Sequence, residues 1–156
     1  MHAIRSDLLF VSAVAGVIAT IVQDLIGSVL IVFIPSYLNC VRIAAGILLP
    51  SEQVMVGGLL STLLGFQIDA VVSIAIGVVT MLLLKYWGHD YYILKGVIVG
   101  AFSWVIFYVV LSRLLSQVYP TASALHAQLS FLNHLLFGVV LTWLIVRLRK
   151  GQKGLS

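Results

Sequence analysis

Residues 54–84 read VMVGGLLSTLLGFQIDAVVSIAIGVVTMLLL, an unbroken apolar run whose one charged side chain is Asp69. A bilayer-spanning strand would instead alternate apolar and polar positions over about ten residues. As a helix the run would extend about 46 Å at 1.5 Å per residue. That exceeds the roughly 30 Å of hydrocarbon that a spanning helix has to cross. The run must tilt, protrude or break, and Gly57-Gly58 is the expected place for a break.

Within this run Gly57, Ser61, Gly65, Asp69, Ser73 and Gly77 stand four residues apart. In a helix that spacing puts them on one face. The same spacing recurs near the N-terminus in Ser12, Gly16, Thr20, Asp24 and Ser28, and near the C-terminus in Ser130, His134, Gly138 and Thr142. Faces of small residues let membrane helices approach closely. Gly16, Thr20, Gly57, Ser61, Gly65, Ser73, Gly77 and Gly138 are therefore expected at helix–helix contacts. An ionisable group in such a helix is costly unless it faces protein or water.

The whole chain supports the same class. Of its 156 residues 62% are hydrophobic and 9% charged, against roughly 25% charged in soluble domains. Those charges cannot cover a water-exposed surface. The sequence predicts an all-α polytopic membrane protein, a four-transmembrane-helix bundle forming a single domain, with one short interfacial or re-entrant helix. Spans are expected at about residues 8–34, 54–84, 93–115 and 129–146. Residues 36–50, between Pro35 and Pro50, carry Asn39 and Arg42 and are too short to cross as a helix. Arg5 and the small residues Ala13-Val14-Ala15 resemble a signal peptide, but the apolar run continues to about Phe33, which favours a retained first span. Arg5, Lys85, Lys95, Arg147, Arg149, Lys150 and Lys153 fall on one side and Arg42 and Arg113 on the other, seven against two. The positive-inside rule then makes both termini cytoplasmic.

Helical rise puts Asp24, Asp69 and His134 at about 24, 22 and 18 Å from the cytoplasmic ends of their spans, in one layer, with Arg113 near the same level. A carboxylate at mid-bilayer costs about 2.5–3.5 kcal/mol on insertion scales, so clustering is favoured. Gln23, Gln67 and Asn133 are candidate hydrogen-bonding members, with Ser103 and Tyr108 as further donors. Gln67 and Asp69, two residues apart, point to nearly opposite sides of an ideal helix. The cluster admits three readings: structural pairs such as Asp24 with Arg113 or Asp69 with His134, an ion or proton site, or contacts with another subunit.

Other chemistry is sparse. His89-Asp90 offers two ligands where a metal site needs more, so no metal and no cofactor are expected. Cys40 is the only cysteine, which excludes an intrachain disulfide. The chain has no phosphate-binding glycine loop, no nucleophile elbow and no His-Glu-x-x-His. No catalytic residue is assigned, and enzyme activity is disfavoured. The basic tail at 147–156 fits lipid headgroups better than nucleic acid.

Four short pieces carry a family resemblance: Gly16-Val-Ile-Ala-Thr, Ser73-Ile-Ala-Ile-Gly, Lys95-Gly-Val-Ile-Val-Gly-Ala-Phe-Ser-Trp and His134-Leu-Leu-Phe-Gly. In these the chain resembles small four-helix inner-membrane proteins of bacteria of the YqhR type. The resemblance implies a bacterial cytoplasmic membrane and a compact bundle, and carries no activity to transfer.

Two functions are expected from these features. One is a structural or accessory membrane subunit that lies in the lipid bilayer and self-associates as a homo-oligomer or docks with other membrane subunits. The alternative is a small oligomeric cation- or proton-coupled transporter or channel that uses Asp24, Asp69 and His134.

Overall fold

The structure, a computed structural model, describes residues 2–34, 37–118 and 123–153. Among these residues it is helical throughout, without strands. The elements are α1 (His2–Phe33), α2 (Cys40–Ala45), α3 (Ser51–Val56), α4 (Leu59–Trp87), α5 (Tyr92–Ser103), a π-helical stretch (Trp104–Leu111), α6 (Ser112–Leu115) and α7 (Ala124–Lys153). Four apolar segments, Leu8–Phe33, Leu59–Trp87, Tyr92–Leu115 and Ala124–Arg149, are long enough to cross a membrane.

The long second run does break at Gly57-Gly58. Their φ angles are +74° and +132°, and a Cβ at either would meet nothing within 4 Å. Glycine is present there for backbone freedom, because L side chains rarely adopt such angles. Gly57, expected at a helix contact from its spacing, instead ends α3. Ser61 is half-buried and lines a small cavity with Arg42 and Thr62.

The other small residues do bring helices together. α1 and α4 run antiparallel, and a Cβ on Gly16 would lie 2.5 Å from the Ser73 carbonyl oxygen. One on Gly77 would collide with the Ser12 carbonyl. Thr20 and Ser73 share a hydroxyl–hydroxyl hydrogen bond at the same seam. α5 and α7 meet in the same way: a Cβ on Gly96 would stand 2.6 Å from the Gly138 carbonyl, and one on Gly100 would strike the His134 carbonyl. Gly96 and Gly100, four apart, are packing residues that the expected set lacks.

Between α1 and α4 the chain folds back on the bundle. Asn39 starts α2, its side-chain oxygen accepting from the Arg42 N–H at 3.1 Å. α2 then crosses α4 at Gly65, where a Cβ would collide with the Val41 carbonyl. The Leu38 N–H donates to His126 Nε2 at 2.8 Å, and the Tyr37 ring stacks on His126 with centroids 4.6 Å apart. Ser116 Oγ donates to the Ile43 carbonyl at 2.8 Å.

Two apolar clusters result. Ala15, Ala19, Leu84, Phe137, Leu141 and Ile145 belong to one, and Leu38, Ile43, Val54, Tyr108 and Val118 to the other. In residue order along α1 and α7, a polar layer comes next to the first cluster on the side of the fold-back segment.

Because the α5–α7 contact is backbone on backbone, Gly138→Val should push these helices apart. Overpacking of this kind costs about 1–3 kcal/mol. Thermal unfolding in mild detergent should show a lowered midpoint for Gly138→Val, and an unchanged midpoint would contradict the contact.

Candidate functional site: a buried carboxyl pair

The seam that joins α1 to α4 also builds the site. From the Thr20–Ser73 hydrogen bond, one step of four residues along α1 and four back along α4 reaches Asp24 and Asp69. In antiparallel helices such paired steps stay in register. The two carboxyl groups accordingly face each other across the seam, close enough for each to feel the other's charge. Asp24 is 8% exposed and Asp69 is half-buried. Asp24 Oδ1, Asp24 Oδ2 and Asp69 Oδ2 are shut off from the surface, and no donor among the described residues reaches them.

Two carboxylates are acceptors only, so a bond between them needs a proton on one. Two negative charges in contact away from water repel strongly. A shared proton, a bound cation or a water would complete the pair.

Several neighbouring polar groups are engaged with one another rather than with the acids, while Asn133 Oδ1, Tyr108 OH and Trp104 Nε1 are buried without a hydrogen-bond partner among the described residues. Asn133 Nδ2 donates to the Gln23 carbonyl at 3.1 Å. Gln23 Nε2 lies 3.6 Å from Cys40 Sγ, which in turn lies 3.9 Å from His134 Nε2. His134 Nδ1 is 2.8 Å from the Ser130 carbonyl. A carbonyl only accepts, so Nδ1 carries the proton and Nε2 presents a lone pair to the thiol. His134 is buried beneath the edge of the Tyr108 ring, with centroids 5.8 Å apart.

The π-helical stretch positions Tyr108. The Ser112 hydroxyl donates to the Tyr108 carbonyl, and Trp104 stacks on Tyr108 while meeting Phe131 edge-on. Such widened turns are frequent at functional sites. Beside it lies an apolar cavity of about 130 Å³ whose walls include Ile43, Val72 and Phe107, with Cys40, Tyr108 and His134 on its lining.

Of the residues expected to cluster, the structure brings Asp24, Asp69, His134, Gln23 and Asn133 into one neighbourhood. Arg113 is exposed, and neither acid has a basic partner among the described residues. Both expected structural pairs are therefore corrected: Arg113 stands on the exposed side of α6 rather than against Asp24, and His134 meets Ser130 and Cys40 rather than Asp69. Gln67 is also exposed, as its two-residue offset from Asp69 requires. Cys40, absent from the expected cluster, joins it because the chain after α1 folds inward. Only tertiary structure reveals that approach. His89, weighed above as half of a metal site, accepts a hydrogen bond from Arg149 at 2.9 Å. No group of three or more metal-ligating side chains occurs among the described residues.

Set against protein-family models, curated proteins and solved structures, the chain matches none. The expected resemblance to the YqhR type finds no support in these comparisons.

Burial pushes the Cys40 thiol well above its ordinary value, and Asp69 and Asp24 add to the effect. A raised value lowers the thiolate fraction at every pH, and the thiolate is the reactive form. Maleimide labelling of folded protein should therefore stay slow at pH 7 and at the ordinary thiol range near about 8.5. It should accelerate only at higher pH, whereas protein unfolded in dodecyl sulfate should label with an ordinary thiol profile. Coincident pH profiles for the two states would contradict the assignment.

Proposed function

We propose that this chain is a small membrane protein that binds and passes a proton or small cation at Asp24 and Asp69. The carrying observation is a facing pair of carboxyls, of which Asp24 Oδ1, Asp24 Oδ2 and Asp69 Oδ2 are buried and meet no donor among the described residues. In a bilayer an unpaired acid is expensive, and such residues mark ion pathways and proton relays. The lysine and arginine distribution supports cytoplasmic termini. In that orientation residues 37–58 enter from the outer side as a re-entrant segment. Irregular backbone at membrane depth is tolerated where protein or a cavity surrounds it. Broken helices of this kind line substrate sites in secondary transporters.

A second reading, a self-associating accessory subunit, is favoured by one observation. Gln67 places an amide on the exposed side of α4. The two readings are compatible, since a pathway through four spans is easily completed by a second protomer.

The carboxyl pair makes a prediction that separates a working site from a scaffold. Asp24→Asn and Asp69→Asn keep shape while supplying an amide donor to the remaining acid. Purified single variants should be as thermostable as the parent or more so. Proton or cation flux into proteoliposomes should fall in each single variant and reach the protein-free level in the double variant. Undiminished flux in a folded double variant would remove the relay reading.

A further inference from the structure

We infer that the exposed face of α4 carrying Gln67 binds the same face of a second copy, with the two Gln67 amides hydrogen-bonded across a twofold axis. This inference rests on the self-association reading and names its interface. Gln67 is exposed and forms no hydrogen bond to any described residue. It lies eight positions beyond Leu59, where α4 begins, so about 12 Å along the helix by its rise. Its neighbours on the same face, Leu63, Val71 and Val79, are exposed and apolar. An amide set among such side chains loses its water partners in lipid, and polar side chains of this type hydrogen-bond between helices.

The occupant follows from chemistry and symmetry. A glutamine amide carries both a donor and an acceptor, so its own copy is a complementary partner. Two copies inserted in the same orientation hold Gln67 at equal depth. A twofold axis along the membrane normal then brings identical residues together, which is the geometry of an isologous interface. Two turns further along the face stands Ala75, also exposed. Its small side chain permits the close approach that helix pairs in lipid require. Asp69 points away from this face, so the interface leaves the carboxyl pair inside each protomer.

Cys40 is the only native cysteine, so single cysteines can be placed in a Cys40→Ala background. In native membranes Val71→Cys should form an oxidative dimer. Leu25→Cys on α1 and Phe102→Cys on α5, both exposed, should not. Adding Gln67→Leu should weaken the dimer roughly five- to thirtyfold, as loss of one interhelical polar contact does. Gln67→Asn should restore part of it. Dimers that form through Leu25→Cys or Phe102→Cys alone would overturn this interface and leave self-association standing. Monomers at every position would overturn both. A Val71→Cys adduct to a different protein would overturn the second-copy assignment.

Discussion

Everything in this bundle depends on how closely the backbones of α1 and α4 approach. At Ser12 against Gly77 and at Gly16 against Ser73, a Cβ on the glycine would run into carbonyl oxygen. A separation that small fixes the register, because sliding either helix would push a larger residue into the gap. The register then carries the chemistry: the Thr20–Ser73 bond and the Asp24–Asp69 contact are successive steps of one antiparallel ladder. The α5–α7 contact repeats the device at Gly96, Gly100 and Gly138. Since α7 packs on α1 as well as on α5, the two close pairs share a helix. His134 and Asn133 on α7 thereby reach the layer that α1 and α4 build.

A polar layer in a packed bundle is ordinarily a set of mutually satisfied groups. Most of this one conforms. The Asn133 amide serves the Gln23 carbonyl, the His134 Nδ1–H serves Ser130, and Thr20 serves Ser73. The carboxyl pair departs from that economy, and so do Asn133 Oδ1, Tyr108 OH and Trp104 Nε1, each buried without a hydrogen-bond partner among the described residues. What sets the acids apart is their chemistry. Two facing carboxylates only accept, so neither can satisfy the other unless a proton or cation stands between them. One Asn in place of either would complete the pair without one.

Much of this was readable before folding, for a physical reason. Helical periodicity is local, so four-residue spacing marks inward faces, and composition alone separates four long apolar helices from a soluble domain. The break at Gly57-Gly58 was readable because a helix of that length overshoots a bilayer. Helical rise, however, gives height and not azimuth. Arg113 is exposed although its expected height matches the layer, whereas Asp24 and Asp69 share both the expected height and an inward face. Gly96 and Gly100 carry the same spacing as the other seams, but only two small residues mark that row, too few to stand out from the apolar run around them. Cys40 had no local signal, because its position depends on Asn39 capping α2 and on His126 holding the Leu38 N–H.

The fold-back segment also decides how the acids are enclosed. Along α1 and α7 the Ala15, Ala19, Phe137 and Leu141 cluster closes one side of the layer. On the other side stand Cys40, Gln23 and His134, with 3.6 and 3.9 Å contacts to the thiol. Contacts to sulfur at those distances are weak, so they do not hold the segment in place. Backbone does: α2 lies against α4 at Gly65, where a Cβ would collide with the Val41 carbonyl. The Leu38 N–H donates to His126, the Ser116 hydroxyl donates to the Ile43 carbonyl, and Leu38, Ile43 and Val54 belong to the second apolar cluster. Gly65 continues the spacing of Asp69 and Ser73, so the small-residue row that sets the register of the acids also seats the segment that covers them.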